Sequence, residues 1–120
     1  MRSAAAAPAA RPAGDDGRRL ALAVAIVALA VYAPTVARDL SWANAATDGG
    51  DLITASYTLG IPHPPGYPTY VLLGKLFSRL PLGTVAFRYN LFAAVCAAAA
   101  AGLLAAAMRA QWGARVPPLE

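Results

Sequence analysis

The chain of 120 residues is long enough for one domain, but its composition is not that of a soluble one. Hydrophobic residues make up 58% of it and charged residues only 13%, whereas soluble domains carry about 25% charged residues. The net charge of +4 comes from scattered basic residues beside apolar segments, which indicates membrane topology signals and excludes a nucleic-acid surface. The composition therefore predicts a membrane protein.

The single cysteine and the single histidine limit metal and redox chemistry. Cys96 has no partner in the chain for a disulfide, and His63 alone cannot form a His-rich zinc motif. Cys96 lies within an apolar run, so we interpret it as a packing residue.

The first apolar segment is predicted to cross the membrane. Residues 1–19 mix alanine, proline, arginine and aspartate without hydrophobic periodicity, which predicts a disordered tail. Residues 20–37 carry no charge, and at 1.5 Å per residue these 18 residues span about 27 Å, enough for the hydrocarbon core. They form the predicted transmembrane helix 1.

A cleaved signal peptide is the alternative for this segment. Arg18-Arg19 would precede its apolar core, and Ala43-Asn44-Ala45 resembles a cleavage site. However, the apolar run is longer than the usual 7–15 residues, and the candidate site lies beyond its end. A retained helix is favoured.

Residues 38–90 form a loop with two predicted short helices. The first runs from Asp51 to Leu59 and can be ended by Gly60. Four prolines follow, and each disfavours the helical conformation of the residue before it, so Ile61–Pro68 is predicted to be extended and stiff. The second helix, Thr69–Leu80, is too short to span a bilayer and either lies along the interface or packs on other helices.

Residues 91–108 are the predicted transmembrane helix 2. They carry no charge, and ten of the 18 are alanine. Small residues recur every four positions, at Ala93, Ala97, Ala101 and Ala105, a spacing that lets helix backbones approach closely. Residues 109–120 form a polar tail in which two prolines preclude a continued helix.

The basic residues predict the orientation of the chain. Six of the ten lie in the two tails, which are shorter together than the central loop. The chain is therefore predicted to be a multi-pass protein of the cell membrane, with both termini cytoplasmic and the central loop outside.

Two acidic residues that could take part in catalysis lie early in the loop. Asp48 and Asp51 stand three apart and can converge; such carboxylates serve as a general base, or could hold a divalent metal ion together with substrate oxygens. The alternative is structural, with Asp51 capping the short helix and Asp48 stabilising the turn. No cofactor is required by the sequence.

Four further residues are candidates for substrate binding. His63, between prolines, could donate to a phosphate or titrate near neutral pH, or it could simply bond nearby backbone. Tyr67 could stack on a sugar or lie at the interface. Lys75 and Arg79 could face lipid phosphates or form a solvated face.

The order of these motifs resembles a known family. Asp48-Gly49-Gly50-Asp51-Leu52-Ile53 precedes the run Leu59-Gly60-Ile61-Pro62-His63-Pro64-Pro65-Gly66-Tyr67-Pro68, and Arg88-Tyr89-Asn90 comes later. Over residues 20–108 the chain resembles the N-terminal part of the family called domain of unknown function 2723. That family is placed with the GT-C membrane glycosyltransferases, some of which are protein O-mannosyltransferases.

The resemblance implies a fold and a reaction. The fold is an all-α membrane protein with two transmembrane helices joined by an extracytoplasmic loop, as a fragment of a larger multi-helix GT-C bundle. The implied reaction uses a polyprenyl-phosphate sugar donor on the outer face of the membrane. Asp48 matches the expected base, which takes the proton of an acceptor hydroxyl as its oxygen attacks the anomeric carbon. Asp51 lies where relatives often carry glutamate.

The length of the chain leaves its status open. Relatives have many more spanning helices, so the chain is interpreted as an N-terminal fragment, a truncated gene product or one piece of a split enzyme, inactive alone. Its expected partners are membrane lipid, the sugar donor and further transmembrane helices. The alternative function is a non-enzymatic helical hairpin that assembles with partner helices.

Overall fold

The computed structural model describes residues 15–41 and 48–112, which contain helices and loops but no strand. The four helices are α1 (Asp15–Tyr32), α2 (Gly49–Thr58), α3 (Pro68–Phe77) and α4 (Val85–Trp112), with a 3₁₀ turn at Ala33–Thr35. The segments Asp16–Thr35 and Val85–Trp112 are long and apolar enough to cross a membrane. The predicted all-α class with two spanning helices is confirmed.

Helix α1 includes residues that the sequence analysis placed in the N-terminal tail. It begins at Asp15, and Asp16 stands in its first turn, where a negative charge is favourable near the helix N-terminus. The α-helix ends at Tyr32, and Pro34 lies in the 3₁₀ turn that follows. The remainder of the predicted N-terminal tail and residues 113–120 lie outside the described residues.

Helix α4 begins six residues before the predicted transmembrane helix 2. Gly83 has a φ of +45° and turns the chain. Thr84 then caps the helix, because its hydroxyl accepts a hydrogen bond of 3.1 Å from the backbone N–H of Phe87. Since no proline or glycine interrupts residues 85–90, the helix starts directly after this cap.

The chain divides into two compact units, and one comprises residues 29–97. In this unit α2 and α3 pack on each other, with small and polar residues at their contact. Ser56 is fully buried, and its hydroxyl donates to the carbonyl of Val71 at 2.8 Å while accepting from the Tyr89 hydroxyl at 3.0 Å. Gly74 allows this approach, because an added Cβ would lie 2.5 Å from the Ser56 Oγ.

Aromatic rings from α3 and α4 continue this core. Phe92 packs against Phe77 and Tyr70, with ring centroids 4.9 and 5.4 Å apart, and Tyr70 stacks on Tyr89 at 6.3 Å. The apolar area of these rings, together with Ala55 and Val71, stabilises the packing of α3 on the start of α4.

Arg88 fixes the connection between α3 and α4. Its guanidinium donates to the carbonyls of Ser78 and Leu82 at 2.7 Å each and to that of Gly83 at 3.2 Å. Asn90 similarly donates to the carbonyls of Ala37 and Asp39, at 3.0 and 3.3 Å. Both side chains thus satisfy backbone groups of segments that have no regular structure to do so.

The second unit comprises the described residues 15–28 and 98–112, which belong to α1 and α4. An added Cβ at Gly102 would lie 2.5 Å from the carbonyl oxygen of Ala21 and 3.1 Å from the Cβ of Ala25. Glycine is therefore needed for this close approach of two helices. Arg109 and Asp16 form an exposed ion pair at 3.8 Å in the same unit.

A small-residue face of α4 is buried within the described residues, one position along from the predicted alanine face. Ala94, Ala98 and Gly102 are buried, whereas Ala93 and Ala97 are exposed. The face of Ala93, Ala97, Ala101 and Ala105 therefore remains a prediction for packing on further helices. Alanine occupies several faces of this helix, so the sequence did not single out Gly102 as the position of close contact with α1.

Candidate active site

The candidate site begins at the N-terminus of α2, where the acidic residues lie. Asp48 occupies the position before the helix, is exposed and makes no side-chain capping bond, while its carbonyl accepts the first helical hydrogen bond, from Leu52. Asp51 lies in the first turn. Both carboxylates therefore stand near the positive end of the α2 dipole.

The proline-rich segment forms a tight turn above this helix. The Pro64–Pro65 peptide bond is cis, and the N–H of Gly66 donates to the carbonyl of His63 at 3.0 Å. The predicted extended conformation of Ile61–Pro68 is therefore wrong, because prolines that disfavour the helical region also permit a cis bond and a turn of this type.

The turn brings His63 to Asp51, although the two residues are twelve apart in sequence. The Asp51 Oδ2 lies 2.7 Å from the ring Nδ1 of His63 and accepts the backbone N–H of His63 at 3.1 Å. Both side chains remain accessible, with 40% of the histidine and 46% of the aspartate exposed. One carboxylate oxygen thus holds both the backbone and the ring of His63.

These contacts change the acidity of Asp51. The side-chain hydrogen bond from His63 is the largest cause, followed by the backbone hydrogen bond, and together they hold the pKa of the Asp51 carboxyl below its ordinary value, against a small opposing effect of burial. With Asp51 ionised, the hydrogen of the neutral imidazole is on Nδ1, so Nε2 is left to meet a substrate.

Tyr67 is the third member of a cluster with Asp51 and His63, which we call the His63 cluster. Its ring meets that of His63 edge-on, with centroids 5.3 Å apart and planes at 66°. Tyr67 has a φ of +42°, in the left-handed region that few residues other than glycine adopt. Backbone conformations of this kind concentrate at functional sites, where surrounding contacts maintain them.

Lys75 and Arg79 do not belong to the His63 cluster. The Lys75 ammonium donates to the carbonyl of Tyr57 and lies 4.9 Å from the centroid of the Tyr57 ring. It thereby joins α3 to the C-terminal end of α2, where carbonyls attract a positive charge. Arg79 is exposed in the turn after α3.

The alternative role of the two aspartates, binding a divalent metal ion, depends on the ligating side chains near them. Within residues 15–41 and 48–112, no group of three histidine, cysteine, aspartate or glutamate side chains is placed to hold a metal ion. One oxygen of Asp51 is already occupied by His63. A metal ion held by Asp48 and Asp51 would therefore need further ligands, such as the substrate oxygens of the sequence-based alternative.

Every member of the His63 cluster could be named from the sequence, whereas of the residues that support the cluster only Arg88, Tyr89 and Asn90 could be, through their shared motif. Ser56, Gly74 and Tyr89 hold α2 against α3 and α4, and no sequence signal distinguished Ser56 or Gly74 from ordinary helix residues. Arg88 and Asn90 did carry a signal, because two polar side chains precede a long apolar run.

The apolar helices and the polar segment between them define a helical membrane protein, and comparison with known proteins identifies its family. Residues 48–114 match the family model described as "Protein O-mannosyl-transferase TMEM260 N-terminal domain". This match includes both aspartates, the proline-rich turn and α4. The chain therefore belongs to the TMEM260 N-terminal domain family.

Two relatives carry the same description. The chain is 44% identical to protein O-mannosyl-transferase TMEM260 of Mus musculus over 87 residues, which are 72% of this chain and 12% of the mouse protein. It is 38% identical to the protein of that name from Dictyostelium discoideum over 45 residues, 37% of this chain and 6% of that protein. The chain thus spans about an eighth or less of their lengths. No solved structure matches it.

Proposed function

We propose that this chain supplies the first extracytoplasmic loop of a membrane O-mannosyltransferase that moves a mannosyl group from a polyprenyl-phosphate donor to a protein hydroxyl. The names of the relatives support the sugar and the acceptor. The observation that carries the proposal is the contact of Asp51 with His63, which joins the acidic turn to the proline-rich turn within the matched segment.

In this proposal the two carboxylates have different roles. The Oδ2 of Asp51 is engaged by His63, whereas the exposed carboxylate of Asp48 makes no capping bond. Asp48 acts as the general base, because an accessible, ionised carboxylate can accept the proton of an attacking hydroxyl. Asp51 acts as a positioning residue that sets the orientation of the His63 ring.

The reaction then proceeds by one displacement. The acceptor oxygen attacks the anomeric carbon and forms the new C–O bond, and its proton passes to Asp48. The bond between the anomeric carbon and the phosphate oxygen breaks, and the lipid phosphate leaves with the electron pair and with inversion at the carbon. The His63 ring, held by Asp51 through Nδ1, contacts the leaving phosphate with its remaining edge.

The test compares two aspartates in the full-length gene product, in membranes. We expect Asp48→Asn to lower transfer of mannose from a polyprenyl-phosphate donor to an acceptor peptide by about 10²-fold or more, the usual contribution of a general base. Asp39→Asn is the matched control. The Asp39 carboxylate accepts the N–H of Leu40 at 2.8 Å, and an asparagine oxygen can do the same.

The two variants separate catalysis from folding. Asp39→Asn is expected to retain transfer, and Asp48→Asn is expected to retain the melting temperature. Full activity of Asp48→Asn would remove Asp48 from the mechanism. Equal loss of activity in both variants would show that the effect is not specific to the proposed base.

A further inference from the structure

Helix α3 presents its largest aliphatic side chains outward. Val71, Gly74 and Ser78 are buried on the side that meets α2 and α4. Leu72, Leu73 and Leu76 are exposed by 63%, 43% and 58%. A helix at a water-exposed surface has the opposite arrangement, with leucines inward and small polar residues outward. The surroundings of α3 must therefore be apolar on one side.

The exposed leucines form a single face, which we call the leucine face of α3 (Leu72, Leu73 and Leu76). Spacings of three and four residues place side chains on the same side of a helix. Arg79 lies seven residues after Leu72, in the turn that follows α3, and its backbone N–H donates to the carbonyl of Leu76 at 3.2 Å. An exposed positive charge thus lies at the end of the leucine face.

The C-terminal end of α3 is fixed to the start of a spanning helix. Only residues 78–84 separate α3 from α4. Arg88, in the first turn of α4, donates to the Ser78 carbonyl directly after α3 and to two carbonyls of the connection. Because α4 is long and apolar enough to cross a membrane and starts directly after this connection, α3 is joined to the N-terminal end of a candidate membrane span.

We propose that the leucine face of α3 lies on the lipid bilayer at the boundary between headgroups and acyl chains, with Arg79 on the lipid phosphates. Short amphipathic helices bind this boundary by burying apolar side chains and placing basic groups among anionic headgroups. The exposed leucines, the adjacent arginine and the attachment to α4 together fit lipid as the occupant. This proposal stands independently of the proposed sugar transfer.

The test measures what surrounds the leucine face in the full-length protein in phospholipid vesicles. All native cysteines of the full-length protein, Cys96 among them, are first replaced by alanine, and Leu72→Cys and Leu76→Cys are then labelled separately with an environment-sensitive fluorophore. Thr58→Cys is the matched control, because it is an exposed position at the end of the neighbouring helix α2. Vesicles carry lipids spin-labelled near the headgroup or deep in the acyl chain.

The expected result is a blue-shifted emission at positions 72 and 76 and a loss of that emission with headgroup-proximal spin labels, while the label at position 58 loses emission to aqueous iodide instead. Addition of Arg79→Gln is expected to reduce the lipid quenching at position 76. Iodide quenching at positions 72 and 76 would overturn the proposal by showing a water-exposed face. Emission that neither quencher reduces would also overturn it, because protein would then cover the face.

Discussion

Asp48 and Asp51 stand three residues apart, yet the structure distinguishes them by their contacts. Asp51 gives one oxygen to the ring and the backbone of His63, whereas Asp48 remains exposed beside the N-terminus of α2. Both residues and His63 could be identified from the sequence as candidates, but the sequence did not decide between a chemical and a structural role for them. Their roles depend on the proline-rich turn, which brings His63 to Asp51 although the two residues are twelve apart in sequence.

The contact predicts a change in the acidity of Asp51 when the ring is removed. His63→Ala removes the largest cause of the lowered pKa but keeps a backbone N–H, so we expect the pKa of Asp51 to rise part of the way to its ordinary value. Carbon-13 NMR of labelled aspartate during a pH titration measures this. Tyr67→Phe, which keeps the ring next to His63, should leave the Asp51 pKa unchanged.

The same contact sets the sign of a pH effect on stability. Because the pKa of Asp51 is lower in the folded state, its stabilising contribution is complete above the unfolded-state pKa and is lost as the pH falls through the folded-state pKa. The difference in melting temperature between the wild type and His63→Ala should therefore shrink in acid. A difference that stays constant down to the lowest pH would show that Asp51 does not act through this linkage.

At the scale of helices, α2, α3 and α4 pack through a contact that has room for glycine only. At Gly74 an added Cβ would lie 2.5 Å from the Ser56 Oγ and 2.6 Å from the Tyr89 ring. Ser56 and Tyr89 are nearly or fully buried and hydrogen-bonded to each other, so neither has space to move aside. The packing that supports the His63 cluster thus depends on this glycine.

Gly74→Ala should therefore destabilise the protein. We expect a loss of about 1–3 kcal/mol, typical of an overfilled core, measured as a lower midpoint of thermal or denaturant unfolding in detergent. Gly50→Ala is the control, since nothing lies within 4 Å of its added Cβ and it lies within α2. It should be neutral or stabilising by up to about 1 kcal/mol. Equal unfolding midpoints for the two variants would contradict the described packing.

The helices were easier to predict than their contacts. Apolar runs and the positions of proline and glycine predicted four helices near their observed places. They did not predict the turn at Pro64–Pro65, because the sequence does not choose between cis and trans peptide bonds. They also did not single out Gly102 on α4, because alanine fills neighbouring faces and only the close approach of Ala21 distinguishes this position.

For the whole molecule, membrane localisation follows from two long apolar helices and from the family of membrane O-mannosyl-transferases that the chain matches. The orientation of the loop remains a prediction from the basic residues of the two tails. It matters for the proposed function, because a loop on the outer face meets a different set of acceptors from one in the cytoplasm.

The orientation can be tested by labelling in intact cells. In a background without native cysteines, Cys96→Ala included, Asp39→Cys in the loop should react with a membrane-impermeant maleimide added outside, whereas Arg2→Cys should react only after the membrane is permeabilised. Asp39 is exposed in the described structure, so poor access does not explain a negative result. The reverse labelling pattern would place the loop, and with it the proposed site, in the cytoplasm.

The proposed function requires that the segment from Asp48 to Tyr67 binds the lipid-phosphate sugar donor. Photo-crosslinking of a polyprenyl-phosphate mannose analogue to the full-length protein, followed by peptide mapping, tests it most directly. We expect the label to fall on the turn that contains His63 and Tyr67 or on the start of α2, and excess natural donor to remove it. A donor-competed label confined to other parts of the protein would show that this segment does not bind the donor.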